Sequence, residues 1–320
     1  MPHAGPRNQP DCQASGCGFF LQPRYPMITA KVCLSLRAAA VSATLLPPAA
    51  LLSAAELPPK SWIDPDTGHR VIRITDEPDT LSLYFNDNPF TPDGKQMVYT
   101  TPEGISVLDL ATFKTRAVVP GPVRVIVVGR KTPSVFYIKG AERALYAANL
   151  DTGATKKLAD LPARGGVDTI NADETLAAGA TIVGDGQDYN AKGAAQRQGR
   201  GSGPRAAGVQ PVNKVEMMEA RLAARLPMEM YTIDLNTGKR TVILRSTDWL
   251  NHLLFSPTDP TLLMYCHEGS WWKVDRIWTI HTDGTGNNLI HKRTMGMEAS
   301  GHEFWSNDGK TIYYDLHMPF

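Results

Sequence analysis

The stretch "NHLLFSPTDPTLLMYCHEG" spans Asn251–Gly269, and "GHEFWSNDGKTIYYDLH" spans Gly301–His317. Each starts with a histidine, turns at a Ser-Pro or Ser-Asn phrase, and ends with a second histidine. His252 lies three residues before Phe255, as His302 does before Trp305, and the closing histidines, His267 and His317, each follow fifteen residues later. Apolar residues alternate on both sides of the turn, the period of a half-buried strand. Each segment therefore predicts an antiparallel hairpin. A hairpin returns the chain to its start, so both of its histidines reach the same end.

The same grammar recurs upstream. "NPFTPDGKQMVYTTPEGISVLDLATFKTRAVV" (Asn88–Val119) reads as strand, Pro-Asp-Gly turn, strand, Gly turn, strand. "VFYIKGAERALYAANLDTGATKKLADL" repeats the last three strands, and "MEMYTIDLNTGKRTVIL" and "DRIWTIHTDGTGNNLIHKR" repeat the ending. "NLDTG" and "DLNTG" read as tight turns that place Gly153 and Gly238 at positive φ. First turns fall at Pro92-Asp93-Gly94, Asn171-Ala172-Asp173, Ser256-Pro257-Thr258 and Ser306-Asn307-Asp308. Their spacing of about 40–50 residues, one long insertion aside, is that of a four-stranded propeller blade. The fold expected is all-β, a β-propeller. The insertion, 185–226, begins Gly- and Arg-rich and then places Val215, Met218, Leu222 and Leu226 at helical spacing, with Pro227 as the stop. Such a helix holds Arg221 and Arg225 one turn apart on a solvated face.

The first strand of each blade borders the central channel. His252 and His302 are thus expected at one rim of it, with Asp87 and the Val167–Asp168 pair at the corresponding places of other blades. A rim of imidazoles and carboxylates suits a divalent cation or an acidic sugar. In "GSWWKVDRIW", Trp271, Trp272, Lys273 and Arg276 follow His267 and could grip a sugar ring and its carboxylate. His69, His281 and His291 fall at turns or outer strands.

The 320 residues carry a formal charge of +1 and no long basic run, which argues against nucleic acid as a partner. From Met27, "MITAKVCLSLRAAAVSATLLPPAALLSAAELPPK" has a charged start, an apolar stretch and a small-residue end. That is the layout of a secretory signal peptide. Residues 1–55 are read as extension and leader, 56–320 as the working domain, with no membrane span after cleavage and a periplasmic or secreted location. After cleavage Cys266 alone of the four cysteines remains, so no intrachain disulfide is expected.

"NHLLFSPTDPTLLMYCHEG", "VDRIWTIHTDGTG", "HKRTMGMEASGHEFW" and "RLAARLPMEMYTID" together resemble the oligogalacturonate lyase family of pectin-degrading enzymes. "WIDPDTGHRVIRIT" and "SLYFNDNPFTPDGKQMVYTT" resemble its opening segment. The resemblance implies a seven-bladed propeller that cleaves short galacturonate chains by β-elimination, using a divalent metal, usually manganese. It implies His302 in "GHEFW" as a metal ligand, His252 as the catalytic base with His267 as the rival, and Arg225 as the arginine that stabilises substrate charge. The family places its other metal ligands, a glutamine and two histidines, in a later blade, whereas this sequence stops at Phe320. Residues 56–320 supply about five to six blades at ~40–50 residues each, so an incomplete member, a fragment, is expected. The competing reading is a non-catalytic propeller of the Tol-associated periplasmic type that binds a protein or glycan. A peptidase lid is a third, but no Gly-x-Ser-x-Gly elbow is present.

Overall fold

The computed structural model describes residues 60–185 and 213–319. The leader and the first part of the insertion lie outside the described residues. Six antiparallel sheets follow one another along the chain. Sheet I pairs β1 (Ser61–Ile63) with β2 (Arg70–Ile72), and sheet II orders β3 (Gln96–Thr101), β4 (Gly104–Asp109) and β5 (Thr115–Pro120). Sheet III is β6 (Arg124–Val128), β7 (Ser134–Lys139), β8 (Ala144–Asn149) and β9 (Thr155–Asp160). Sheet IV is β10 (Gly165–Ile170), β11 (Leu176–Ile182), β12 (Met228–Asp234) and β13 (Arg240–Ser246). Sheet V is β14 (Trp249–Phe255), β15 (Leu262–Glu268), β16 (Ile277–His281) and β17 (Asn288–Leu289), and sheet VI pairs β18 (Ala299–Trp305) with β19 (Ile312–His317). Each full sheet is an up-and-down meander, and the first strands of sheets III, IV and V pack on one another. This is blade packing around an axis, the propeller arrangement read from the repeat.

Local chemistry sets the meander. Asp64, Asp109, Asn149 and Asp234 each use Oδ1 to accept the backbone N–H groups two and three residues on and the hydroxyl of a threonine. Such side chains mimic a backbone turn. The next residue is Gly68, Phe113, Gly153 or Gly238, at φ 71°, 56°, 72° and 72°. Three of the first-turn phrases lie, as read, between the first and second strands of sheets IV, V and VI, whereas Pro92-Asp93-Gly94 precedes β3, with only an isolated Phe90–Met97 bridge before it. Thr91, Asn171, Ser256 and Ser306 each donate a backbone N–H across the loop, to Gln96, Leu176, Leu262 and Thr311.

The core sits between neighbouring sheets. One cluster joins Val98, Ile105 and Val107 of sheet II to Val128, Val135 and Tyr137 of sheet III. A second joins Phe136 and Leu145 to Val167, Tyr231 and Ile233 of sheet IV. A third joins Met228 and Met230 to Leu250, Phe255 and Tyr265 of sheet V. Helix α1 (Lys214–Ala224) caps this third cluster with Met218. Asn213 caps it at the start, accepting from the N–H groups of Val215 and Glu216. The helix confirms the spacing but not its apolar face. Val215 is exposed, and Arg221 is 1 % exposed, with its guanidinium over the Trp249 ring and Nη2 against Met228 Sδ. Long side chains can bury their stems beneath a charge that finds a π face.

The first strands of sheets III to VI carry a β-bulge at one level. Register shifts fall between Val125 and Val127, Val167 and Thr169, Asn251 and Leu254, and Gly301 and Phe304. Opposite the bulge of sheet IV, a Cβ on Gly179 would meet Gly166 O at 1.8 Å, whereas one on Gly153 meets nothing within 4 Å. Gly179→Ala is therefore expected to destabilise by about 2 kcal/mol or more, against about 1 kcal/mol for Gly153→Ala. Urea unfolding of both variants checks this, and equal losses would contradict the close approach.

Candidate active site

The bulges decide where the predicted site residues go. In β14, His252 and Leu253 together oppose Tyr265; in β18, His302 and Glu303 oppose Tyr314. The extra residue turns the backbone left-handed, with φ of 50° at His252 and 52° at His302. Glycine holds such a place without strain, while another residue costs about 1–2 kcal/mol. Eight described non-glycine residues have positive φ, and His252, His302 and Arg225 are three of them. Strain of this kind persists where the surrounding structure enforces it and gathers at functional sites.

Both bulge histidines are exposed and each leans on a carboxylate. His252 Nε2 lies 2.8 Å from Glu268 Oε2, and His302 Nδ1 lies 2.6 Å from Asp315 Oδ2. Phe85 packs edge-on against the His302 ring at 5.7 Å and against Phe304 at 5.7 Å. Phe85 and Phe304 also line a cavity of about 480 Å³ beside sheet VI, together with Asp87, Arg130 and Tyr313. That volume is within the range of about 300–1,000 Å³ that small ligands occupy.

The remaining predicted residues form a second group at the same end of sheet V. Arg225 is the left-handed C-cap of α1, at φ 46°, and its Nη1 pairs with Asp248 Oδ1. The other oxygen of Asp248 is 3.7 Å from His267 Nδ1. His267 stacks on Trp278 at 4.7 Å. Burial holds its pKa below the ordinary imidazole value, with the Arg225 charge adding to that and Asp248 opposing it. His267 is thus a shielded, neutral ring, while His252 is open and backed by a carboxylate. Asp87, in the loop before β3, is pushed up to about 6 by burial, with Arg124 opposing and Asp168 assisting. Asp168 is the bulge residue of β10 and pairs with Arg124 at 3.1 Å.

Arg276 is not the exposed sugar grip that the sequence led us to expect. It is 4 % exposed between sheets V and VI, with Nη1 2.6 Å from Glu268 and Nε and Nη2 3.1 and 3.2 Å from Glu303. Cys266 donates its thiol hydrogen to Glu303 Oε1 at 2.7 Å. The aromatic side of that phrase serves α1: Lys214 lies over Trp271, and Lys273 pairs with Glu219. Sequence reading missed Glu268 and Glu303, although "HE" occurs twice, in "CHEG" and "GHEF".

For a metal, His302 has the right form at one position: a carboxylate on Nδ1 fixes the ring and leaves Nε2 as donor. Among the described residues no group of three or more His, Cys, Asp or Glu side chains is arranged to hold an ion. The described residues supply one oriented ligand and not a complete coordination sphere. Because His302 sits at left-handed φ, His302→Gly should be about 1 kcal/mol more stable than His302→Ala in urea unfolding; the reverse order would contradict the left-handed backbone.

Comparison with known proteins adds a finding for this same region. A family model described as oligogalacturonate lyase matches residues 210–318. The oligogalacturonate lyase of Dickeya dadantii is 26 % identical over 267 residues, which covers 79 % of this chain and 62 % of that protein. The oligogalacturonide lyase of Pectobacterium atrosepticum is 39 % identical over 83 residues, 26 % of this chain and 21 % of that protein. Among solved structures, an oligogalacturonate lyase in complex with manganese superposes with a TM-score of 0.63 at 24 % identity, covering 81 % of this chain and 65 % of that one. An oligogalacturonate lyase from Vibrio parahaemolyticus gives 0.64 at 23 % identity, covering 80 % and 65 %. The chain thus spans a little under two thirds of the length of the Dickeya protein and of the two solved structures.

Proposed function

We propose that the chain is an oligogalacturonate lyase that cleaves short galacturonate oligomers by β-elimination, a reading supported by the family match over residues 210–318 and by the similarity to the Dickeya dadantii enzyme. The observation that carries this reading is the pair of histidines set in matching left-handed bulges on the first strands of adjacent sheets, open to solvent and each backed by a carboxylate. β-Elimination takes the C5 proton beside the C6 carboxylate and expels the C4 oxygen. His252, exposed at its bulge and backed by Glu268, is the base. Such help is worth about 10²–10⁴ in rate. Arg225, half-exposed beside Asp248, binds substrate carboxylate by exchanging partners, since a guanidinium grips either carboxylate in the same way. Phe85 and Phe304 offer apolar ring faces beside His302 for the sugar.

His302 is the residue of this chain that would hold a divalent cation. A bound cation would supply charge to the uronate carboxylate and so make the C5 proton more acidic. Manganese is the proposed metal, because one structural relative is described as a manganese complex. A periplasmic or secreted location rests on the leader layout of residues 27–55.

Incubating the full chain with digalacturonate and Mn²⁺ should give rising near-ultraviolet absorbance from the 4,5-unsaturated product, lost on adding chelator. His252→Ala should lower turnover about 10²–10⁴-fold with Mn²⁺ binding intact. No rise with metal would contradict the lyase reading and leave a non-catalytic propeller. Loss of Mn²⁺ binding in His252→Ala would make His252 a ligand instead.

A further inference from the structure

Glu268 is the buried group with the most direct bearing on His252. It is 6 % exposed, and its two oxygens have separate partners. Oε1 accepts from Arg276 Nη1 at 2.6 Å, while Oε2 faces His252 Nε2 at 2.8 Å and Asn251 Nδ2 at 3.4 Å. Arg276 cannot follow a turn of Glu268, because its other nitrogens are committed to Glu303. Burial alone would push the Glu268 carboxyl up, but the hydrogen bond from His252 and the charge of Arg276 override it and hold it down to about 2. An ionised carboxylate only accepts hydrogen bonds. The proton between Glu268 and His252 therefore sits on Nε2, and in the neutral ring the lone pair is on Nδ1.

Resting on the lyase reading above, we propose that Glu268 is a positioning residue for His252: anchored by Arg276, it holds the ring as the Nε2–H tautomer and presents Nδ1, on the side away from Glu268, as the atom that takes the C5 proton. The left-handed backbone at His252 aims the ring outward, and Glu268 settles which nitrogen leads. The guanidinium also reaches Glu303, the residue after His302. One buried cation thus ties the carboxylate behind the base to the bulge that carries the other histidine.

An amide in place of Glu268 makes a sharp test. Arg276 needs an acceptor, so the oxygen of the new side chain must face it. The NH₂ is then left facing His252, whose Nε2 must accept, and the ring converts to Nδ1–H. Long-range ¹H–¹⁵N spectra of the full chain, labelled at histidine and recorded above the imidazole titration, read the tautomer directly. The His252 signal is identified by its absence in His252→Gln. Wild type should show Nε2–H and Glu268→Gln should show Nδ1–H, with turnover lowered about 10²–10⁴-fold. Wild type as Nδ1–H, or Glu268→Gln with the tautomer unchanged, overturns the assignment. If Glu268→Gln does not fold, Glu268→Asp keeps a charge for Arg276 but draws back from His252. A loss of Nε2–H preference there supports the assignment, and no change overturns it. Wild-type Nε2–H without turnover on digalacturonate overturns the lyase reading and leaves the positioning contact standing. Turnover with an Nδ1–H ring does the opposite.

Discussion

The site depends on a single backbone constraint, the extra residue that interrupts the first strand of sheets III to VI at one level. A strand without a bulge would alternate its side chains between the two sheet faces, and both histidines would be spent on packing between blades. The bulge opposes two residues to one and forces a left-handed turn at His252 and at His302. Each ring then leaves the packed interface, while the next residue, Leu253 or Glu303, stays buried within it. One device thus sets an exposed histidine beside a buried residue, in sheet V and again in sheet VI.

Burial supplies the second half of the arrangement. Arg276, Glu268 and Glu303 are each nearly inaccessible, and together they carry one positive and two negative charges. Taking charges out of water is expensive, and removing one member of such a group typically costs about 3–5 kcal/mol. The group is retained where hydrogen bonds meet the charges on every side. Here the remaining negative charge is shared with a thiol donor from Cys266 and with the His252 ring. The network therefore does not end in the core. It reaches the surface through the exposed His252 imidazole, the base proposed above, and so links sheet-to-sheet packing to that ring.

The sequence made the strand-and-turn repeat legible because its causes are local. Alternating apolar residues, Asx-type turns and glycines at positive φ act within a few residues, and they recur at the blade interval. His252 and His302 were legible through that register, as equivalent places in two copies of one hairpin. Arg225 was placed by resemblance, and its partner Asp248 was not foreseen. Glu268, Glu303 and Arg276 were missed or misplaced because their pairing is non-local: Arg276 reaches residues 8 and 27 positions away, in two sheets. Arg221 was misread for a similar reason. Helical spacing says which side chains share a face, but not that Trp249 will offer that face a ring beneath which to bury a guanidinium.

The proposed chemistry requires His252 and His302 to lie close enough to share one ion and one substrate. Paramagnetic broadening of histidine ring signals by substoichiometric Mn²⁺ measures this directly, because the effect falls steeply with distance from the ion. The expected result is that the His302 and His252 signals broaden together while His69 and His281 stay sharp. Broadening of His302 with a sharp His252, or broadening of the outer histidines alone, would contradict a shared site.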